Sequence, residues 1–125
     1  MSVKPLDFLT AAIELSTVNS EISKRNALSR AYYAAYHTAI ENFPLDESYT
    51  PPDKNSGMHK KYISYLMSRD TTSTERLIGI ALGKLLKKRV KADYHLDANL
   101  ELDDLALQIG GTKSVFKMAG ISLET

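Results

Sequence analysis

The chain has 125 residues, 43% of them hydrophobic and 25% charged, which is the size and balance of one globular domain, leaving no room for a second. Sixteen Lys and Arg against fifteen Asp and Glu leave a net charge of +1, so no global field draws the protein to nucleic acid or to an anionic membrane, and any basic site must be local. The absence of cysteine excludes disulfides, thiolate nucleophiles and Cys-based metal sites. With Asp7 early in the chain, no leader-like apolar run and no apolar stretch long enough to span a bilayer, the sequence reads as a soluble, cytoplasmic protein without a membrane partner.

Between a few breakers the apolar residues recur at three and four, the helical period, and strand alternation is nearly absent. Pro5 suits a first helical turn, and Leu6, Leu9, Ala12 and Ile13 form a short stripe that fades at Ser16 to Ser20. A second, Ala-rich helix is expected from Glu21 to Phe43, with Leu28, Ala31, Ala35 and Ala39 on one face. Pro44, Pro51, Pro52 and Gly57 mark a polar loop. Met58, Tyr62, Tyr65 and Leu66 then predict a short third helix, ending in the segment Arg69 to Ser73. Thr72 and Glu75 form a capping-box pattern opening a fourth helix through Ile78, Leu82, Leu85 and Leu86, whose pattern breaks beyond Val90, at Ala92 to Asn99. A last helix is expected over Glu101 to Ala119, kinked or broken at Gly110 and Gly111. The fold class is all-α, an up-and-down bundle of four or five helices.

Lys84, Lys87, Lys88, Arg89 and Lys91 crowd the end of helix four; Lys87, Lys88 and Lys91 are candidate RNA- or phosphate-binding residues, set against the plain alternative of solvated cations offsetting a helix dipole. Arg89 differs, because its spacing of four, three and four with Ile78, Leu82 and Leu85 puts it on the apolar stripe, where a guanidinium needs a carboxylate, a phosphate or a second subunit. Six positions on is His95. Arg and His together have the right chemistry for metal-free RNA cleavage through the 2′-hydroxyl, but on an unbroken helix they would point about 120° apart, so convergence requires a distorted helix end. Arg30, Tyr33 and His37 share a face of helix two and read as a hydrogen-bonded core network, with Asp93 a candidate partner, rather than as a catalytic site. His37, His59 and His95 lack metal-ligand spacing, the segment Gly110 to Ser114 has the wrong glycine spacing for a phosphate loop, and no cofactor is expected.

The run Ser29-Arg30-Ala31-Tyr32-Tyr33-Ala34-Ala35-Tyr36-His37, followed by Arg89-Val90-Lys91-Ala92-Asp93-Tyr94, resembles the HEPN superfamily of small helical nucleotide- and RNA-associated domains. The resemblance spans helix one to Tyr94. It implies a four- or five-helix bundle that forms a homodimer and, in many relatives, a metal-independent endoribonuclease of toxin-antitoxin or phage-defence type, often beside a minimal nucleotidyltransferase as antitoxin. It carries the active Arg and His of those relatives onto Arg89 and His95, with five residues between. Val90 stands where such relatives usually carry Asn, Asp or His, and the branch with Ala-Asp-Tyr is less uniformly catalytic. The alternative implied is therefore a non-catalytic interaction or nucleotide-binding module paired with a nucleotidyltransferase or another defence protein.

Overall fold

The first, second and fourth helices open on local capping chemistry. The computed structural model describes residues 2–68, 70–101 and 103–123, so Arg69 in the expected end of helix three and Leu102 in the expected last helix lie outside the described residues. The order is α1 (Pro5–Ser16), α2 (Glu21–Asn42), α3 (Met58–Leu66), α4 (Ser73–Tyr94) and α5 (Asp104–Met118), with no strand among the described residues. Pro5 opens α1 while the Asp7 carboxylate accepts from the Lys4 N–H at 2.8 Å. Ser20 caps α2 by accepting from the Ser23 N–H. At α4 the capping box is complete: Thr72 Oγ1 accepts from the Glu75 N–H, and Glu75 accepts from the Thr72 N–H, both at 3.1 Å. Helix α5 stops at Gly120, whose φ of +81° allows the Ile121 N–H to reach back to the Phe116 carbonyl at 3.0 Å.

Helix α2 is the hub. It packs on α1, α4 and α5, and Ala27, Ala31, Ala34, Ala35 and Ala39 along it are each wholly buried, because a helix enclosed by three others leaves little space beyond a methyl group at each contact. The bulky core side chains are Leu28, Tyr32 and Tyr36 of α2 itself together with Tyr62 and Leu66 of α3, Ile78, Leu82 and Leu85 of α4, and Val115 and Phe116 of α5. At about 1.5–3 kcal/mol for each large apolar side chain fully buried, these contacts outweigh any intrinsic helix propensity. Gln108 of α5 crosslinks the hub, its Nε2 donating to the carbonyls of Leu28 at 3.1 Å and Leu85 at 2.9 Å, and Thr112 donates to the Ala31 carbonyl at 2.8 Å.

Two boundaries differ from the sequence expectation. Helix α5 runs unbroken through Gly110 and Gly111. Gly111 serves packing instead: a Cβ there would lie 2.9 Å from Leu85 Cδ2, so the missing side chain lets α5 approach α4, while Gly110 faces open space. Helix α4 continues beyond Val90 to Tyr94, because Ala92 is buried against the bundle and the last-turn carbonyls find a side-chain donor. Among the described residues no helix is long and apolar enough to cross a membrane.

Candidate functional site at the carboxyl end of helix α4

The donor for those carbonyls is Arg25 of α2. Its guanidinium, on a residue only 6% exposed, donates to the carbonyls of Lys91, Ala92, His95, Leu96 and Ala98, the shortest bond being 2.7 Å to Ala98. A cation at a helix C-terminus meets both the orphan carbonyls and the negative end of the macrodipole, so Arg25 fixes the end of α4 and the turn beyond it. His95 sits in that turn as the residue capping α4. Its N–H closes onto the Lys91 carbonyl at 3.1 Å, its ring is exposed, and among the described residues the ring makes no hydrogen bond.

The five cations that look contiguous in sequence leave α4 in three directions. Arg89 turns inward to α2, where its Nη2 donates to the Tyr33 hydroxyl at 2.9 Å. Its Nε lies 2.9 Å from Asp93 Oδ2, but off the N–H axis, so the contact is a charge pair without an aligned hydrogen bond. Asp93 also accepts from Ser29 at 3.2 Å. The guanidinium stands 5.3 Å from the Tyr33 ring centre and 5.4 Å from that of Tyr94, which leaves the Arg89 side chain 15% exposed. Lys87 and Lys91 border a groove between α3 and α4 that His95 also lines, whereas Lys84 and Lys88 face the α4–α5 side.

Because α4 is regular through Tyr94, Arg89 and His95 depart on different flanks of one chain; the distorted end that convergence requires is absent. Arg30 also parts from its expected companions. It is exposed and has no hydrogen-bond partner among the described residues, and Asp93 pairs with Arg89 in its place. Tyr33 and His37 are half-buried with their rings stacked at 6.1 Å, and Phe8 of α1 closes over His37 at 5.3 Å.

His59 of α3, which sequence spacing weighs only as a metal ligand, joins this cluster. Its Nδ1 shares a 2.8 Å hydrogen bond with the hydroxyl of buried Tyr32, and its ring lies 4.4 Å from that of Tyr36. Burial, with the charge of Arg89 and then of His37 adding to it, holds the His59 imidazole below its usual range, so the neutral ring is favoured. The signal was available: His59, Tyr62 and Leu66 are spaced by three and four, which places His59 on the buried face of α3. Arg25 was legible in the same way, sharing a three-four spacing with Leu28, Tyr32, Ala35 and Ala39.

The end of α4 thus presents an inward guanidinium among Tyr and His side chains and, on the other flank, an exposed imidazole beside two lysines. The first can hold an anion and the second can give or take a proton. No family model, curated protein or solved structure matches the chain.

Proposed function

We propose that the protein is a HEPN-like, metal-independent endoribonuclease of the toxin or phage-defence kind, acting as a two-fold homodimer. What carries this reading is His95: an acid-base group fixed by its backbone at the end of α4, its ring left unengaged by the described residues and exposed beside Lys87 and Lys91. Since Arg89 and His95 leave one chain on different flanks, a cleft holding both is built from two copies, the Arg89 of one facing the His95 of the other across the symmetry axis. One His takes the 2′-hydroxyl proton, its mate protonates the leaving oxygen, and Arg89 steadies the charge developing on the phosphate.

The Arg89–Asp93 pair favours a second reading. A guanidinium already balanced by a carboxylate and a Tyr hydroxyl can be a purely structural link between α2 and α4, in a non-catalytic module that binds a nucleotidyltransferase or another defence protein. Single-stranded RNA incubated with the protein in EDTA decides between them. The nuclease leaves 2′,3′-cyclic phosphate ends, and His95→Ala abolishes cleavage while retaining its melting temperature and a dimer mass by light scattering. A monomeric wild type, or one no more active than His95→Ala across diverse RNAs, rejects the nuclease and leaves the binding module.

A further inference from the structure

The groove between α3 and α4 has an apolar floor and a basic border. Half-buried Ile63 of α3 and Leu86 and Val90 of α4 give it its apolar lining, and exposed Lys60 and Lys87 with half-buried Lys91 add the charge, around a volume of about 570 Å³. No carboxylate lines it among the described residues; Lys91 Nζ also lies 3.7 Å from Asp104 Oδ2, while Lys60 and Lys87 have no ion-pair partner among the described residues. Val90, which breaks the expected local motif after Arg89, belongs to this floor. Gly83 deepens the groove, since a Cβ built there meets no atom within 4 Å and nothing in the packing of the bundle requires the missing side chain.

We infer that this groove docks an acidic amphipathic helix from a partner protein, its apolar stripe on Ile63, Leu86 and Val90 and its carboxylates on Lys60 and Lys87. From Gly83 to His95 the groove follows α4 for roughly 18 Å, about three helical turns, so anchors at i, i+3 or i+4, and i+7 meet the floor in register. An RNA strand fits less well. Among the described residues lining it, His95 at one end is the single ring on which a base can stack, and apart from the lysines only His95 and Ser64 offer polar groups to base edges, whereas an RNA strand needs several of each along its length. The charge relation favours an acidic partner over a second copy of this chain, whose own groove border is equally basic. Such a helix also covers His95, so it shields the site from RNA; that consequence alone rests on the nuclease reading.

The test is fluorescence anisotropy with a labelled peptide of about 16 residues carrying Leu at the anchor positions and Glu elsewhere, against a twin with Lys for Glu and a twin with Ser for Leu. The Glu–Leu peptide is expected to bind, more weakly as salt rises, and neither twin to match it. Gly83→Leu fills the groove and is expected to weaken binding at least about tenfold with the melting temperature kept or raised, since Leu is the better helix former. Lys60→Glu combined with Lys87→Glu is expected to transfer the preference to the Lys twin, and it decides the matter if Gly83→Leu fails to fold. Equal binding of the charge twins, undiminished binding to a folded Gly83→Leu, or a Gly83→Leu defect confined to a single-stranded RNA oligonucleotide each overturns the proposal. A peptide that binds as expected while no RNA cleavage is found supports the docking and removes only the nuclease reading.

Discussion

Replacing Arg25 by Met keeps much of the aliphatic volume and removes the guanidinium that five carbonyls share. Their distances set the scale. The bonds to Ala92 at 3.0 Å and Ala98 at 2.7 Å are the strong ones, while those to Lys91, His95 and Leu96 at 3.2–3.3 Å are long and divide the same few protons. A hydrogen bond from a charged donor contributes about 1.5–3 kcal/mol, and the buried Ala92 carbonyl left without a partner costs about 1–3 kcal/mol. The Glu21 partner is 60% exposed and adds only about 0.3–0.5 kcal/mol, so Glu21→Gln serves as a near-neutral control. Release of the buried guanidinium from its own desolvation returns part of the loss, which places Arg25→Met at roughly 3–5 kcal/mol. For a chain of this size that is a fall in melting temperature of about 10–20 °C. Urea unfolding followed by circular dichroism measures it as a shift in midpoint at unchanged slope. Arg25→Lys, with three donors on a compact ammonium, should lose about half as much. If Arg25→Met loses less than about 1 kcal/mol, the clamp does not hold the end of α4, and the placement of His95 must have another cause.

The remaining predictions concern a titration and a pair of glycines. Folding holds the His59 imidazole below its usual pKa, so near pH 6 the unfolded chain binds more protons; stability is whole above about pH 6.5 and is lost as the pH falls toward the lower folded value. The melting temperature of His59→Gln should fall less over that window than that of the wild type, and parallel curves would show that the ring is not depressed. Gly110→Ala enters open space on α5 and should stabilise by about 0.5–1 kcal/mol, whereas Gly111→Ala drives a methyl against Leu85 and should gain nothing or lose about 1–3 kcal/mol. Equal effects in thermal unfolding would show that α5 does not approach α4 so closely at position 111.

Much of the helical layout was legible because helix signals are local. Pro5 and the Thr72–Glu75 box are chemical starts that need no tertiary contact. The two misplaced boundaries both depend on distant residues: α4 outlasts Val90 through Arg25, some 67 positions away at Ala92, and α5 runs on through its glycine pair where Gln108 and Thr112 bond to carbonyls of α2 and α4. The site divides in the same way. The placement of Arg89 on an apolar stripe follows from spacing, and its need for a partner is met by Asp93 and Tyr33. Asp93 is a neighbour at i+4 on the same helix and was legible from spacing, whereas the Tyr33 hydroxyl is met only because α2 turns that face to α4, with Arg30 left exposed and His59 of α3 reaching Tyr32. Spacing along one chain reports the face a residue occupies, and only packing decides what that face meets.

The alanine spine of α2 makes the two halves of the core fail in opposite ways under mutation. At Ala27, Ala31, Ala34, Ala35 and Ala39, each with no exposed surface, any substitution but Gly adds atoms where α2 meets its neighbours, and overpacking of this kind costs about 1–3 kcal/mol. At Ile78, Leu82 and Leu85 of α4 most replacements subtract volume, and partial collapse around the void can soften the loss. Sequence drift in this fold is therefore asymmetric. The large side chains of α4 can be exchanged among themselves in concert with α5, while α2 keeps its small residues however far the rest of the chain diverges.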